Sequence, residues 1–299
     1  MRKRFLNTLN KVASVLHLSW GILFSCLWYF NKNDHGERRD IIYPLYTSYS
    51  SWNATAIELP KSGGCSIPRS ISFGDITVSP AWKDAGINLS LHWLVTSFFF
   101  LSAFFQFLGG VVPRKTVPNP VIRFIEYSIS ASVMIVAIAL QLGIFQAQVL
   151  LLLATLTWTT MICGIVAETL APGDRELVEE NKLVKKLLKR MNAGAWLSHG
   201  IGWMTQLIVF FVLLQQFHGS QNTCGSTRAA PYFVWAIVYV ELVLFASFGF
   251  VQLFQLRKSL SAEQAEISYT VLSFVNKTLL GLLVYAGNLW VRRIKTGGT

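Results

Sequence analysis

Lys277 and Glu126 are the residues of this chain whose types and surroundings most demand chemistry. Lys277 stands ten residues into the apolar run "ISYTVLSFVNKTLLGLLVYAGNLWV", a depth of about 15 Å at the helical rise. An ammonium that deep must be paired, neutral or covalently modified. A desolvated amine of this kind condenses with an aldehyde to a Schiff base, and once protonated that group is a fixed cation needing a buried anion. Glu126 in "NPVIRFIEYSISASVMIVAIALQ" carries the right charge. Pro120 opens that segment as a first-turn residue should. Two plainer readings compete: an ion pair of Glu126 with Arg123, one helical turn away, and a purely structural ion pair for Lys277. Ser130 and Ser273 lie about one turn from the two charged residues, placed either to tune the amine or to hydrogen-bond their own helices.

Glu241 is a second candidate, ten residues into "PYFVWAIVYVELVLFASF". A lone carboxyl at mid-bilayer is expected to keep its proton, and a neutral acid inside a bundle can relay one. Together with Glu126, Glu168, Glu263 and Glu266 it could form a broken line of exchangeable protons. Packing through a hydrogen bond to a neighbouring helix is the alternative.

The elements that must position these groups follow from composition. Of 299 residues, 53% are hydrophobic and 14% charged, and the mean hydropathy is +0.45. That is too apolar for an ordinary soluble domain. The expected fold class is an all-α membrane protein, a single domain over 1–299 built as a seven-transmembrane-helix bundle. The spans are 12–30, 91–108, 120–141, 147–168, 193–217, 231–256 and 267–291. The first follows "MRKR" with no small-residue cleavage site behind it, so it reads as a retained helix.

Lys and Arg gather on the loops that share a side with the N-terminus, which places that terminus in the cytoplasm and the C-terminus outside. The net charge of +11 is therefore topology and contact with anionic lipid, not nucleic-acid binding. The first loop, 31–90, is extracellular, and its alternation of β-formers and turn residues predicts a short sheet of two or three strands. Segment 172–192 reads as an amphipathic cytoplasmic helix resting on the inner leaflet, or docking a signalling partner. Cys65 and Cys224 fall outside, where a disulfide between them is permitted, with two free thiols as the alternative. Cys26 and Cys163 fall within spans. The sequon at Asn53 is accessible for glycan, whereas that at Asn276 is buried.

Taken together, "RFIEYSISAS" and "EISYTVLSFVNKTLL" resemble the heliorhodopsins, retinal proteins whose membrane orientation is inverted relative to ordinary microbial rhodopsins. The likeness extends over all seven spans and the long first loop. It implies that Lys277 carries all-trans retinal as a Schiff base, that Glu126 is its counterion, that light isomerises the retinal to 13-cis, and that the protein forms a homodimer. It also implies no established pumping in most members. "VLHLSWGIL" keeps the first-span histidine, His17, but "FLSAFFQFL" places Gln106 where the resemblance leads one to expect a second. A pair of histidines to receive the Schiff-base proton is thus replaced, if at all, by a network of His17, Gln106 and water.

Other classes lack support. The five histidines are scattered, with no metal-ligand or nucleophile motif, so neither an enzyme nor a metal site is expected. Repeated halves of a secondary transporter are not visible. Two functions stay open: a photoreceptor with light-activated proton transport through Glu241, and a purely sensory photoreceptor.

Overall fold

The computed structural model describes residues 2–30, 41–53, 71–73, 76–111, 119–171, 181–221 and 232–296. Seven helices carry the described bundle: α1 (Arg2–Phe30), α2 (Leu91–Val111), α3 (Asn119–Gln141), α4 (Ala147–Leu170), α5 (Lys182–Gln221), α6 (Tyr232–Leu256) and α7 (Ala262–Thr296). All seven are long and apolar enough to cross a membrane. A helix satisfies every backbone group within its own segment, which lipid requires. The chain is an integral, multi-pass membrane protein in contact with lipid, and each expected span lies on one helix, apart from residue 231, which is outside the described residues. The most enclosed helix is α3, and Glu126 stands on it.

One boundary differs in an informative way. The expected surface helix is, from Lys182 onward, the first turns of α5, whose 40 residues extend about 60 Å against a hydrocarbon core of about 30 Å. No Gly or Pro interrupts 182–193, and its Lys, Leu and Arg residues are strong helix formers, so nothing separates the basic segment from the span. Leu183 and Leu187 on these turns are exposed.

The first loop contributes β1 (Ile42–Asn53), β2 (Ile71–Phe73) and β3 (Ile76–Ser90), an antiparallel sheet of order β1-β3-β2, as its alternation predicts. The register shifts between Pro44 and Tyr46, a natural place for an irregularity because proline has no N–H to give the ladder. The sheet is tied to the turn between α3 and α4. Tyr46 N donates to Phe145 O at 3.1 Å, Gln148 Nε2 to Ser48 O at 3.2 Å, and the Tyr43 and Phe145 rings stack at 5.6 Å. Gly143, with φ +83°, lets α3 close, and Ile144 N reaches back to Ala139 O at 3.0 Å.

Cys26 and Cys163 are free thiols on α1 and α4. Cys65 and Cys224 lie outside the described residues, as does most of the Asn53 sequon. Asn276 is buried on α7.

Candidate functional site

The helix that carries Lys277 begins with a reciprocal cap. Gln264 N donates to Ser261 Oγ at 3.2 Å, and Ser261 N donates to Gln264 Oε1 at 3.0 Å. Four turns later the Lys277 side chain points into the bundle. Its Nζ donates to Glu126 Oε1 at 2.7 Å and to Ser273 Oγ at 2.9 Å, and it lies 5.3 Å from the centre of the Tyr127 ring. The Lys277 and Glu126 side chains are each 3% exposed, so the pair is desolvated, and its attraction is larger than at a surface. Glu126 thus faces Lys277 rather than Arg123, the neighbour on its own helix.

Arg123 has other partners. Its Nη2 donates to Glu168 Oε2 at 2.8 Å, and its Nη1 is 3.7 Å from Glu266 Oε2. Gln255 Nε2 donates to Glu168 Oε1 at 3.0 Å, and the guanidinium lies 4.2 Å from the Tyr269 ring centre. The bundle end where α3 and α7 begin is therefore knit by one arginine shared among α3, α4 and α7. This corrects the expected line of carboxylates. Glu168 and Glu266 are gathered on Arg123, Glu263 sits in the first turn of α7, and Glu241 stands apart from all of them.

Two cavities border the Lys277–Glu126 pair, and a third adjoins one of them. One of about 320 Å³ reaches from Glu126 toward that same end, past Gln106, Asn10, Thr270 and Glu266. A second, of about 280 Å³, is lined by Lys277, Ser273, Ser130, Tyr127, Met134 and Met161. It shares Tyr127, Met161, Phe245 and Phe248 with a third of about 550 Å³ between α3, α4, α5 and α6. Amine and both serines thus line one mostly apolar space, with the counter-charge bonded to the amine from its other side. The chemistry of this lining suits a polyene aldehyde: a buried amine, aromatic side chains along the walls, and an anion beside the nitrogen.

His17 and Gln106 are not hydrogen-bonded to each other directly among the described residues. His17 is wholly buried, its ring nitrogens have no partner among the described residues, and the rings of Phe274 and Phe99 enclose it at 5.4 and 6.1 Å. Gln106 lies with Glu126 on the first cavity, its Oε1 also unpartnered. Glu241 is 1% exposed, and neither carboxyl oxygen has a partner among the described residues. It lines a separate apolar cavity of about 230 Å³ with Ile135, Ile138, Phe210 and Leu213.

Several groups escaped the reading of the sequence. Tyr127 follows the counter-charge, and its hydroxyl donates to Tyr269 O at 3.0 Å, joining α3 to α7 beneath the amine. His199, Trp203 and Gln252 form a chain in the wall of the largest cavity. Trp203 Nε1 donates to His199 Nε2 at 3.0 Å, which leaves Nδ1 to carry the proton donated to Gln252 Oε1 at 2.9 Å, while Gln252 Nε2 donates to Gly164 O at 2.9 Å. The available signal was a His, Trp or Gln inside an apolar window, which says that a partner exists but not where it is.

No curated protein matches the chain. The heliorhodopsin family model matches residues 70–289, which include α2 to α6, Glu126 and Lys277. The chain belongs to the heliorhodopsin family, light-sensing retinal proteins of the membrane.

Proposed function

We propose that this protein is a photoreceptor in which Lys277 Nζ holds all-trans retinal, Glu126 balances the charge at that nitrogen, and light opens a route for protons that includes Glu241. The N-terminus lies in the cytoplasm and the C-terminus outside. One observation carries the reading: the one buried lysine among the described residues has its amine 2.7 Å from the buried carboxylate of Glu126 and lines a mostly apolar cavity. Retinal, when bound, supplies absorption of visible light and an isomerisation that reorients the proton on the attached nitrogen.

The chain's own residues do the rest. Glu126 draws the Nζ proton toward the polar cavity of Gln106, Asn10 and Thr270, and Ser273 accepts a second hydrogen bond from Nζ. Tyr127, Phe245 and Phe248 line the space beside the amine, and all three also line the neighbouring cavity. Glu241 lies behind Phe245, which lines both its cavity and that of Lys277. A carboxyl there can exchange a proton with the cavity of Lys277 only when Phe245 moves, so the route is closed in the dark. The apolar lining around Glu241 equally favours a purely sensory receptor, in which Glu241 merely packs.

Voltage clamp of illuminated cells separates the two. The transport reading expects a light-dependent current whose reversal follows the proton gradient, reduced several-fold in Glu241→Gln, with the visible pigment unchanged. A wild type that is electrically silent at every voltage and pH gradient leaves the sensory reading.

A further inference from the structure

The largest cavity holds a polar group that no described residue satisfies. Gln206 stands on α5, is 5% exposed and lines this space. Neither its amide oxygen nor its amide nitrogen has a hydrogen-bond partner among the described residues. Polar neighbours on the same wall are engaged: His199 with Trp203 and Gln252, and Thr160 with Thr205 at 2.8 Å. Gln206 and the Tyr269 hydroxyl are the exceptions, and of the two only Gln206 leaves an amide donor and an amide acceptor both idle. A buried primary amide with idle donor and acceptor is costly, and polar groups converging on an otherwise apolar pocket are the ones that orient a ligand.

The position of the amide indicates which part of a ligand it meets. The cavity at Lys277 and the cavity at Gln206 share Tyr127, Met161, Phe245 and Phe248, so a rod attached at Nζ that runs past these residues would enter the space that Gln206 lines. The ring of plain retinal is a hydrocarbon and leaves both amide groups unpaired. A ring hydroxyl donates to Oε1 or accepts from Nε2, and uses the group that a hydrocarbon wastes.

Resting on the reading that Lys277 carries the chromophore, we propose that Gln206 makes this protein select a retinal bearing a hydroxyl on its ring. A site built to bond a hydroxyl discriminates against the ligand that lacks it.

The test uses full-length protein produced without retinoid and given an equimolar mixture of all-trans retinal and ring-hydroxylated all-trans retinal in the dark. Bound retinoids are then extracted and quantified, and each is also titrated alone by its visible band. Wild type is expected to favour the hydroxylated form by about tenfold, and Gln206→Leu to fall to parity or prefer plain retinal. Equal occupancy, or a preference for plain retinal, in wild type overturns the proposal while both pigments still form, which leaves the role of Lys277 intact. Failure of both retinoids to give a pigment would remove that role and the proposal with it. Should Gln206→Leu not fold, the wild-type competition decides alone.

Discussion

Lys277→Ala is expected to stay colourless when incubated with all-trans retinal. Among the described residues, Lys277 is the buried lysine, and it lines the cavity in which a polyene would lie. Without a nitrogen there is nothing for the aldehyde to condense with, so the loss is complete rather than graded. The substitution also strands Glu126, and removing one partner of a buried pair costs about 3–5 kcal/mol. The colourless result therefore needs a control for folding. Lys277→Met combined with Glu126→Gln removes both charges together and should recover most of the stability lost in Lys277→Ala, while remaining colourless. A visible pigment in the folded double variant would refute the attachment site.

Glu126→Gln should bind retinal yet lose the visible band under conditions where wild type keeps it. The carboxylate lies 2.7 Å from the nitrogen, in surroundings where opposite charges attract by several kcal/mol. An amide there keeps the shape but removes the anion. The charged form of the attached nitrogen is then less favoured, so the visible species gives way to a near-ultraviolet one at lower pH than in wild type. At neutral pH roughly half or less of the visible band should remain. Titration of absorbance against pH checks this, and a curve that overlays wild type would pass the counter-charge to another group.

What the sequence allowed one to read, and what it hid, divides along physical lines. The seven spans were legible because a bilayer demands a length and an apolarity that no soluble segment shows. Lys277 and Glu126 were legible as a pair because each is intolerable alone in lipid, which makes their types informative without any geometry. The partners of Arg123 were not, since three carboxylates, Glu126, Glu168 and Glu266, competed for it and only packing assigns two of them. The surroundings of His17 were hidden too: its residue type does not say that the rings of Phe99 and Phe274 pack against it. Gln206 passed unnoticed because its interest lies in having no partner, a property of space rather than of residue type. The basic stretch from Lys182 was read correctly in composition and wrongly in connection, because nothing in an amphipathic pattern marks where a surface helix ends and a span begins.

The central claim is that Lys277 Nζ is the attachment point, and reductive trapping tests it most directly. The purified pigment is treated with borohydride under illumination, which delivers hydride to the C=N carbon and fixes the chromophore as a secondary amine. The protein is then digested and the adduct located by mass spectrometry. The account predicts a retinyl group on the peptide that contains Lys277 and on no other lysine. An adduct on a different lysine, or a coloured protein with no adduct at all, would contradict it.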